Sequence, residues 1–176
     1  METVLSILGV IAFFVASIGV RVWVEMRRGK KIAAKLKKAV EESLEVSNAM
    51  GMQPFLAEEG VDPVEWKDCF IIFALLMFLD QTVRAAGEVS KSDATTIEMY
   101  MGCCGGVLRE MMHEPDLMEK LQEIIEPIMG LTDNGDIEHI QHVYKTSFAT
   151  ALKISSDSKI TNLSMNLLAK QFGTWI

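Results

Sequence analysis

The chain has 176 residues, 49% of them hydrophobic, and a formal net charge of −7, enough for one membrane helix plus one domain that buries a core. The charge is divided: residues 21–38 hold eight of the 17 bases against one acid, Glu25, whereas residues 39–176 hold nine bases and 22 acids. A C-terminal region with a net charge of −13 repels phosphate backbones, which argues against nucleic acid as a partner.

Residues 4–20 read VLSILGVIAFFVASIGV and carry no charge; after Arg21 the apolar run resumes as Val22-Trp23-Val24. About 20 residues at about 1.5 Å each cross a hydrocarbon core of about 30 Å. The pattern therefore predicts a single transmembrane helix over 4–24, within an anchor segment 1–26. Arg21 can snorkel to the interface, and Trp23 suits the same level. A cleaved signal peptide needs a basic stretch ahead of the apolar run, but the chain starts Met1-Glu2-Thr3. The positive-inside rule puts the N-terminus outside and the remainder in the cytoplasm, at the plasma (inner) membrane of a bacterium. Gly9, Ala12, Ala16 and Gly19 fall on one helical face. Such a small-residue stripe lets a second helix approach closely, which predicts an integral membrane protein partner or a homo-oligomer through the anchor.

The next segment, 27–61, is expected to be a basic juxtamembrane helix or stalk followed by a linker. Arg27, Arg28, Lys30, Lys31, Lys35, Lys37 and Lys38 set the topology and are expected to contact anionic lipid head groups, at about 1 kcal/mol per base near the surface. Ile32, Leu36, Ala39 or Val40, and Leu44 continue at helical spacing. Either the membrane helix runs on as a stalk or a separate amphipathic helix lies along the surface. Gly51, Pro54 and Gly60 mark 47–62 as the linker.

Residues 62–176 are expected to form a compact, acidic, all-α domain of five to six helices. Asp62-Pro63 supplies an N-cap and a first-turn proline for a helix over 63–87. Its stretch Cys69–Leu79 is apolar throughout, too short to span a bilayer and suited to a buried central helix. A helix over 93–113 follows, which Gly102-Cys103-Cys104-Gly105-Gly106 is expected to weaken, with close packing or a kink at that point. Pro115-Asp116 opens a helix reaching Ile128, with Pro127 expected to end or bend it. A turn at 131–136, a helix over 136–154, a turn at 155–159 and a helix over 160–172 complete the domain, with Gly173 suited to the last C-cap.

Two segments share one plan. Gly87, Val89 and Ser90 align with Ser158, Ile160 and Thr161, each set lying in a turn between helices. Val89 or Ile160 is expected to pack the turn inward, and Ser90 or Thr161 to cap the helix that follows. Ala85-Ala86-Gly87-Glu88-Val89-Ser90, followed by Asp93, resembles the motif of the tellurite-resistance TerB-like helical domains, which occurs twice per domain. The second copy, around Asp157–Ile160 and ending Leu168-Ala169-Lys170-Gln171-Phe172-Gly173, is similar to that family's C-terminal helix. The resemblance covers roughly 63–173 and implies a helical stress-response domain whose acidic motif positions bind metal. Of those positions only Asp93 and Asp157 are acidic here; Ala86 stands for the first aspartate and Ser158 for the second glycine. An anchor ahead of such a domain also looks like the N-terminal half of membrane-bound DnaJ-like co-chaperones, but the chain contains no His-Pro-Asp triplet.

Candidate chemistry is sparse. Glu110 and His113 have the Glu-x-x-His spacing of di-iron bundles, but no second pair exists, because His142 follows Glu138 at four residues instead of three. Asp133, Asp136, Glu138, His139 and His142 cluster without calcium-loop spacing. Cys69, Cys103 and Cys104 form no disulfide framework and fit a reducing compartment. Adjacent Cys103 and Cys104 diverge on a helix and suit buried packing. No phosphate loop, nucleophile elbow or dinucleotide fingerprint is present. The expectation is therefore a non-enzymatic, membrane-anchored interaction protein with no metal and no cofactor, whose acidic domain binds a protein partner. The alternative is a tethered TerB-like stress or metal sensor.

Overall fold

The computed structural model describes residues 2–86, 94–129, 131 and 136–172; for 2–18, 82–86, 94–97 and 129 the description is of the backbone alone. The described residues form eight helices and no strand, so the chain is all-α. They are α1 (Glu2–Ala49), α2 (Met52–Glu58), α3 (Pro63–Ala86), α4 (Ala94–Arg109), α5 (Leu117–Lys120), α6 (Gln122–Met129), α7 (Ile137–Leu152) and α8 (Lys159–Phe172). Among the described residues, no helix is long and apolar enough to cross a membrane. The expected span 4–24 lies largely where only the backbone is described, and that backbone is helical.

The first helix decides between the two sequence alternatives. It is continuous over 48 residues, about 72 Å at 1.5 Å per residue, so no separate surface helix forms. Its second half is not a free stalk: Ala33, Leu36, Val40, Ser43 and Ser47 are buried on one face and pack against α4, α3 and α8. The two buried serines satisfy their hydroxyls on their own helix, Ser43 Oγ donating to Ala39 O at 2.8 Å and Ser47 Oγ to Leu44 O at 2.7 Å. The expected linker also carries structure. Gly51 takes a left-handed φ of 73° and turns the chain into α2, which buries Met52 and Leu56. Gly60, at φ 68°, closes α2, with Val61 N donating to Leu56 O at 2.9 Å, a Schellman arrangement sealed by apolar Leu56 and Val61. The Lys159 ammonium stands 3.7 Å from the Phe55 ring centre and ties α2 to α8.

α3 forms the axis of the domain. Asp62 caps it, accepting from Val64 N at 2.9 Å, and every residue from Cys69 to Met77 is buried. A helix apolar on all sides must be surrounded, and α3 contacts α1, α4, α5, α7 and α8. Phe73 meets Phe148 edge-on at 5.1 Å and Tyr144 at 6.5 Å, while Phe78 meets Phe172 at 6.5 Å. Trp66 stacks obliquely on Phe70 and donates from Nε1 to Ser164 Oγ at 3.0 Å.

Two local expectations are corrected. α4 runs without a break through Gly102–Gly106, because its neighbours on two sides hold the helix where propensity alone would weaken it. In the turn before α8 the cap is Ser158, whose Oγ accepts from Thr161 N at 3.0 Å. Thr161 lies inside the helix and is buried, its own hydroxyl donating to Ser155 O at 3.0 Å. Ile160 is fully buried, so the turn does pack inward there. The matching Gly87, Val89, Ser90 and Asp93, the turn residues 132–135 and Gly173 lie outside the described residues. Pro127 sits within α6, which ends two residues later at Met129.

Candidate anchoring and docking surfaces

The buried and charged faces of α1 are opposed. With Gly29, Ala33, Leu36 and Val40 turned into the domain, Arg27, Arg28, Lys30, Lys31, Lys35 and Lys38 are exposed and Lys37 is half-buried. Some of this charge is locally balanced: Arg28 pairs with Glu25 at 2.8 Å, Lys37 with Glu41 at 4.0 Å and Lys38 with Glu42 at 3.5 Å. Exposed pairs of this kind contribute only about 0.3–0.5 kcal/mol each and leave the bases accessible. Arg27 lies over the exposed Trp23 ring at 5.5 Å. Of the predicted helix-packing residues, Gly9, Ala12 and Ala16 have no described side-chain surroundings, and a Cβ built on Gly19 meets nothing within 4 Å among the described residues.

Glu25 is the one acid in the basic segment, and it holds α4. Tyr100 Oη donates to Glu25 Oε2 at 2.5 Å, and Arg28 binds the other carboxylate oxygen. Burial, and then this hydrogen bond, push the Tyr100 hydroxyl above its ordinary range, so it remains a donor. One turn on, Gly29 lets the helices close up: a Cβ there would stand 3.0 Å from Tyr100 Cδ1 and 3.1 Å from Cys103 Sγ. A Cβ there would oblige Tyr100 and Cys103 to give by a few tenths of an ångström, so glycine favours the close approach of α4.

The glycines of α4 have different surroundings. A Cβ built on Gly102, Gly105 or Gly106 meets nothing within 4 Å among the described residues. These residues edge a groove of about 570 Å³ whose apolar walls include Ile71, Ile72 and Leu75 of α3, Leu108, and Met112. The groove is closed at one end by the turn after α4, and that turn is held by Asp68. This carboxylate is only 2% exposed, and it accepts from His113 N at 3.0 Å and Glu114 N at 2.7 Å. Two backbone donors compensate much of its desolvation. The sequence signal for this role is slight: Asp68 is an acid one residue before the apolar run, on a helix otherwise destined for burial.

Glu110 and His113 are exposed beyond the end of α4, as are His139 and His142 on α7 and Asp157 before α8. Among the described residues no group of three or more His, Cys, Asp or Glu side chains is placed to hold a metal ion. Burial pushes the Cys69 thiol up to about 12, with Glu65 and Asp68 adding to it, and pushes Cys104 up to about 11. Both are protonated packing residues at neutral pH, not nucleophiles. No protein-family model, curated protein or solved structure matches the chain.

Proposed function

We propose that the protein is a single-pass, non-enzymatic adaptor of a membrane complex, which holds an acidic helical domain at the cytoplasmic face of a bacterial plasma membrane. The observation that carries this reading is α1: one unbroken helix leads from the uncharged stretch 4–20, through an exposed basic face, into the core of the domain. The uncharged length matches a bilayer, the bases follow it on the side where positive charge stays inside, and Arg27, Lys30, Lys31 and Lys35 are free to meet anionic head groups. Alkaline carbonate extraction of cell membranes tests the anchor. The chain is expected in the pellet; release into the supernatant overturns the reading.

The groove between α3, α4 and the segment leading to α6 is where we place the protein partner. Its walls are apolar, its glycine edge exposes backbone to close approach, and the region's net charge of −13 favours a basic, apolar partner helix. Gly106→Leu would fill the groove from its edge. In mild-detergent purification, the variant is expected to lose a partner that the native chain retains, with its helical content unchanged; equal recovery of the partner refutes the assignment.

A second reading, a tethered TerB-like metal or stress sensor, draws support from the α7–α8 turn, where Ile160 is buried and Asp157 faces solvent. Calcium and zinc titration of the full chain in detergent, followed by calorimetry, decides it: binding heat with a raised melting temperature favours the sensor, and their absence removes it.

A further inference from the structure

α1 is one helix from Glu2 to Ala49, so all positions on it share one phase. Eleven residues make three turns to within about 20° and advance about 17 Å. A step of eleven takes Ala12 to Trp23, Ala16 to Arg27 and Gly19 to Lys30, and a second step takes these to Ala34, Lys38 and Glu41. The line of small residues in the uncharged stretch therefore continues as a basic line beyond it. The core takes a different side of the helix. Gly29, Ala33, Leu36 and Val40 are buried, whereas Trp23, Arg27, Lys30, Ala34, Lys38 and Glu41 are all exposed.

The exposed side is charged as one surface. Every residue exposed between Arg27 and Lys38 is basic except Ala34. Among the described residues, no ion pair involves Lys30, Lys31 or Lys35, and the pair of Lys38 with Glu42 leaves the lysine side chain 76% exposed. Ala34, in the middle of the line, gives a neighbouring helix a close approach. Lys38 lies about 17 Å beyond Arg27, twice the screening length of about 8 Å at physiological salt, so head groups at the level of Arg27 do not serve both. A carboxylate-bearing helix running alongside does. A second copy seated in parallel would set Arg27 against Arg27, Lys30 against Lys30 and Glu41 against Glu41, and like charges so juxtaposed repel.

We infer that the exposed basic line of α1 docks the acidic cytoplasmic flank of a different membrane protein: a helix parallel to α1, with carboxylates opposite Arg27, Lys30 and Lys38 and a base opposite Glu41. This rests on the anchor proposed above, and it selects a second protein over a second copy as the occupant of that side of α1. An acidic flank does not hinder insertion of such a partner, because lysine and arginine set topology and aspartate and glutamate contribute little.

The test uses the full chain in phosphatidylcholine vesicles with synthetic single-span peptides. Each peptide has a leucine–alanine span of about 20 residues and an alanine-rich helical flank carrying Glu, Gln or Lys at every third or fourth position. A donor dye sits at Glu58→Cys in a Cys103→Ala background, and an acceptor sits at the end of the flank. At equal surface density, energy transfer is expected to be several-fold higher to the Glu flank than to the Gln or Lys flank. Lys30→Glu with Lys38→Glu, on the line, is expected to abolish that preference, whereas Lys31→Glu with Lys35→Glu, to one side of it, retains most of it. Equal transfer to all three flanks, or equal losses from the two double variants, overturns the inference and leaves the anchor standing. So does a Glu preference that disappears when phosphatidylglycerol makes up half of the lipid, which assigns the bases to head groups. Transfer between donor- and acceptor-labelled copies of the chain that exceeds transfer to the Glu flank assigns the line to a second copy and likewise overturns it. A chain that fails to float with the vesicles overturns both the inference and the anchor.

Discussion

Asp68 sits where a charge is costliest, inside a wall of apolar side chains, and two backbone N–H groups answer it. Truncation to alanine would leave those donors without their acceptor, and bonds to a charged group contribute about 1.5–3 kcal/mol each. Asp68→Ala is therefore expected to lower stability by roughly 3 kcal/mol, read from the urea midpoint, with the loss concentrated in the turn after α4. Lys153 presents a milder strain: it ends α7 with a left-handed φ of 57°, a conformation that costs a side-chain-bearing residue about 1 kcal/mol. Lys153→Gly should thus raise the melting temperature slightly. The Cys69 thiol is neutral in the fold up to about 12, whereas its unperturbed value is 9.0. The folded value is the raised one, so its contribution is complete below pH 9 and is lost as the pH climbs toward 12. Cys69→Ala should flatten the fall in melting temperature across that alkaline window, whatever its effect at neutral pH.

At the scale of elements, α4 separates two uses of glycine. A Cβ on Gly29 of α1 would press on Tyr100 and Cys103 of α4, whereas one on Gly102, Gly105 or Gly106 meets no described residue within 4 Å. Gly106→Ala is expected to stabilise the fold by about 0.5–1 kcal/mol, because alanine is the better helix former and meets no obstacle. Gly29→Leu is expected to destabilise it by pushing α4 off α1 against Tyr100 and Cys103. Chemical denaturation of the matched pair checks the signs. If Gly106→Ala proves destabilising, an internal contact fills that face, and the groove is not the open surface described. The unbroken course of α4 has the same origin: helix propensity over Gly102–Gly106 is poor, but packing on α1 and α3 supplies most of the helix's stability.

The whole molecule is organised around α3, and the second half of α1 is a wall of its core. Leu36 and Val40 are each buried, at about 1.5–3 kcal/mol per large apolar side chain, and Ala33, Ser43 and Ser47 complete that face. A marginal domain does not survive the loss of such a face. Residues 50–176 expressed alone are expected to give a molten or aggregated product, whereas residues 28–176 should show cooperative unfolding by circular dichroism. Cooperative folding of 50–176 would return α1 to the status of a stalk.

How far the sequence carries depends on the range of the interaction. The all-α class, the Asp62-Pro63 start of α3, the burial of Cys69–Met77 and the inward packing of Ile160 are all local in origin. They follow from caps, from helical periodicity and from an apolar run bounded by acids, and a single chain displays these directly. The uncharged stretch 4–20 and the bases after it belong to the same class, since hydropathy and charge order need no partner to be seen. Other features were decided only by the tertiary structure: α1 as a wall of the core, α2 within an apparent linker, Asp68 as the clasp of a turn, and the opposite surroundings of Gly29 and Gly106. Each rests on a neighbour distant in sequence, such as His113 for Asp68 or Tyr100 for Glu25. Composition and spacing mark a residue as small, charged or apolar; only the neighbour it meets determines whether that property closes a contact or leaves a surface open.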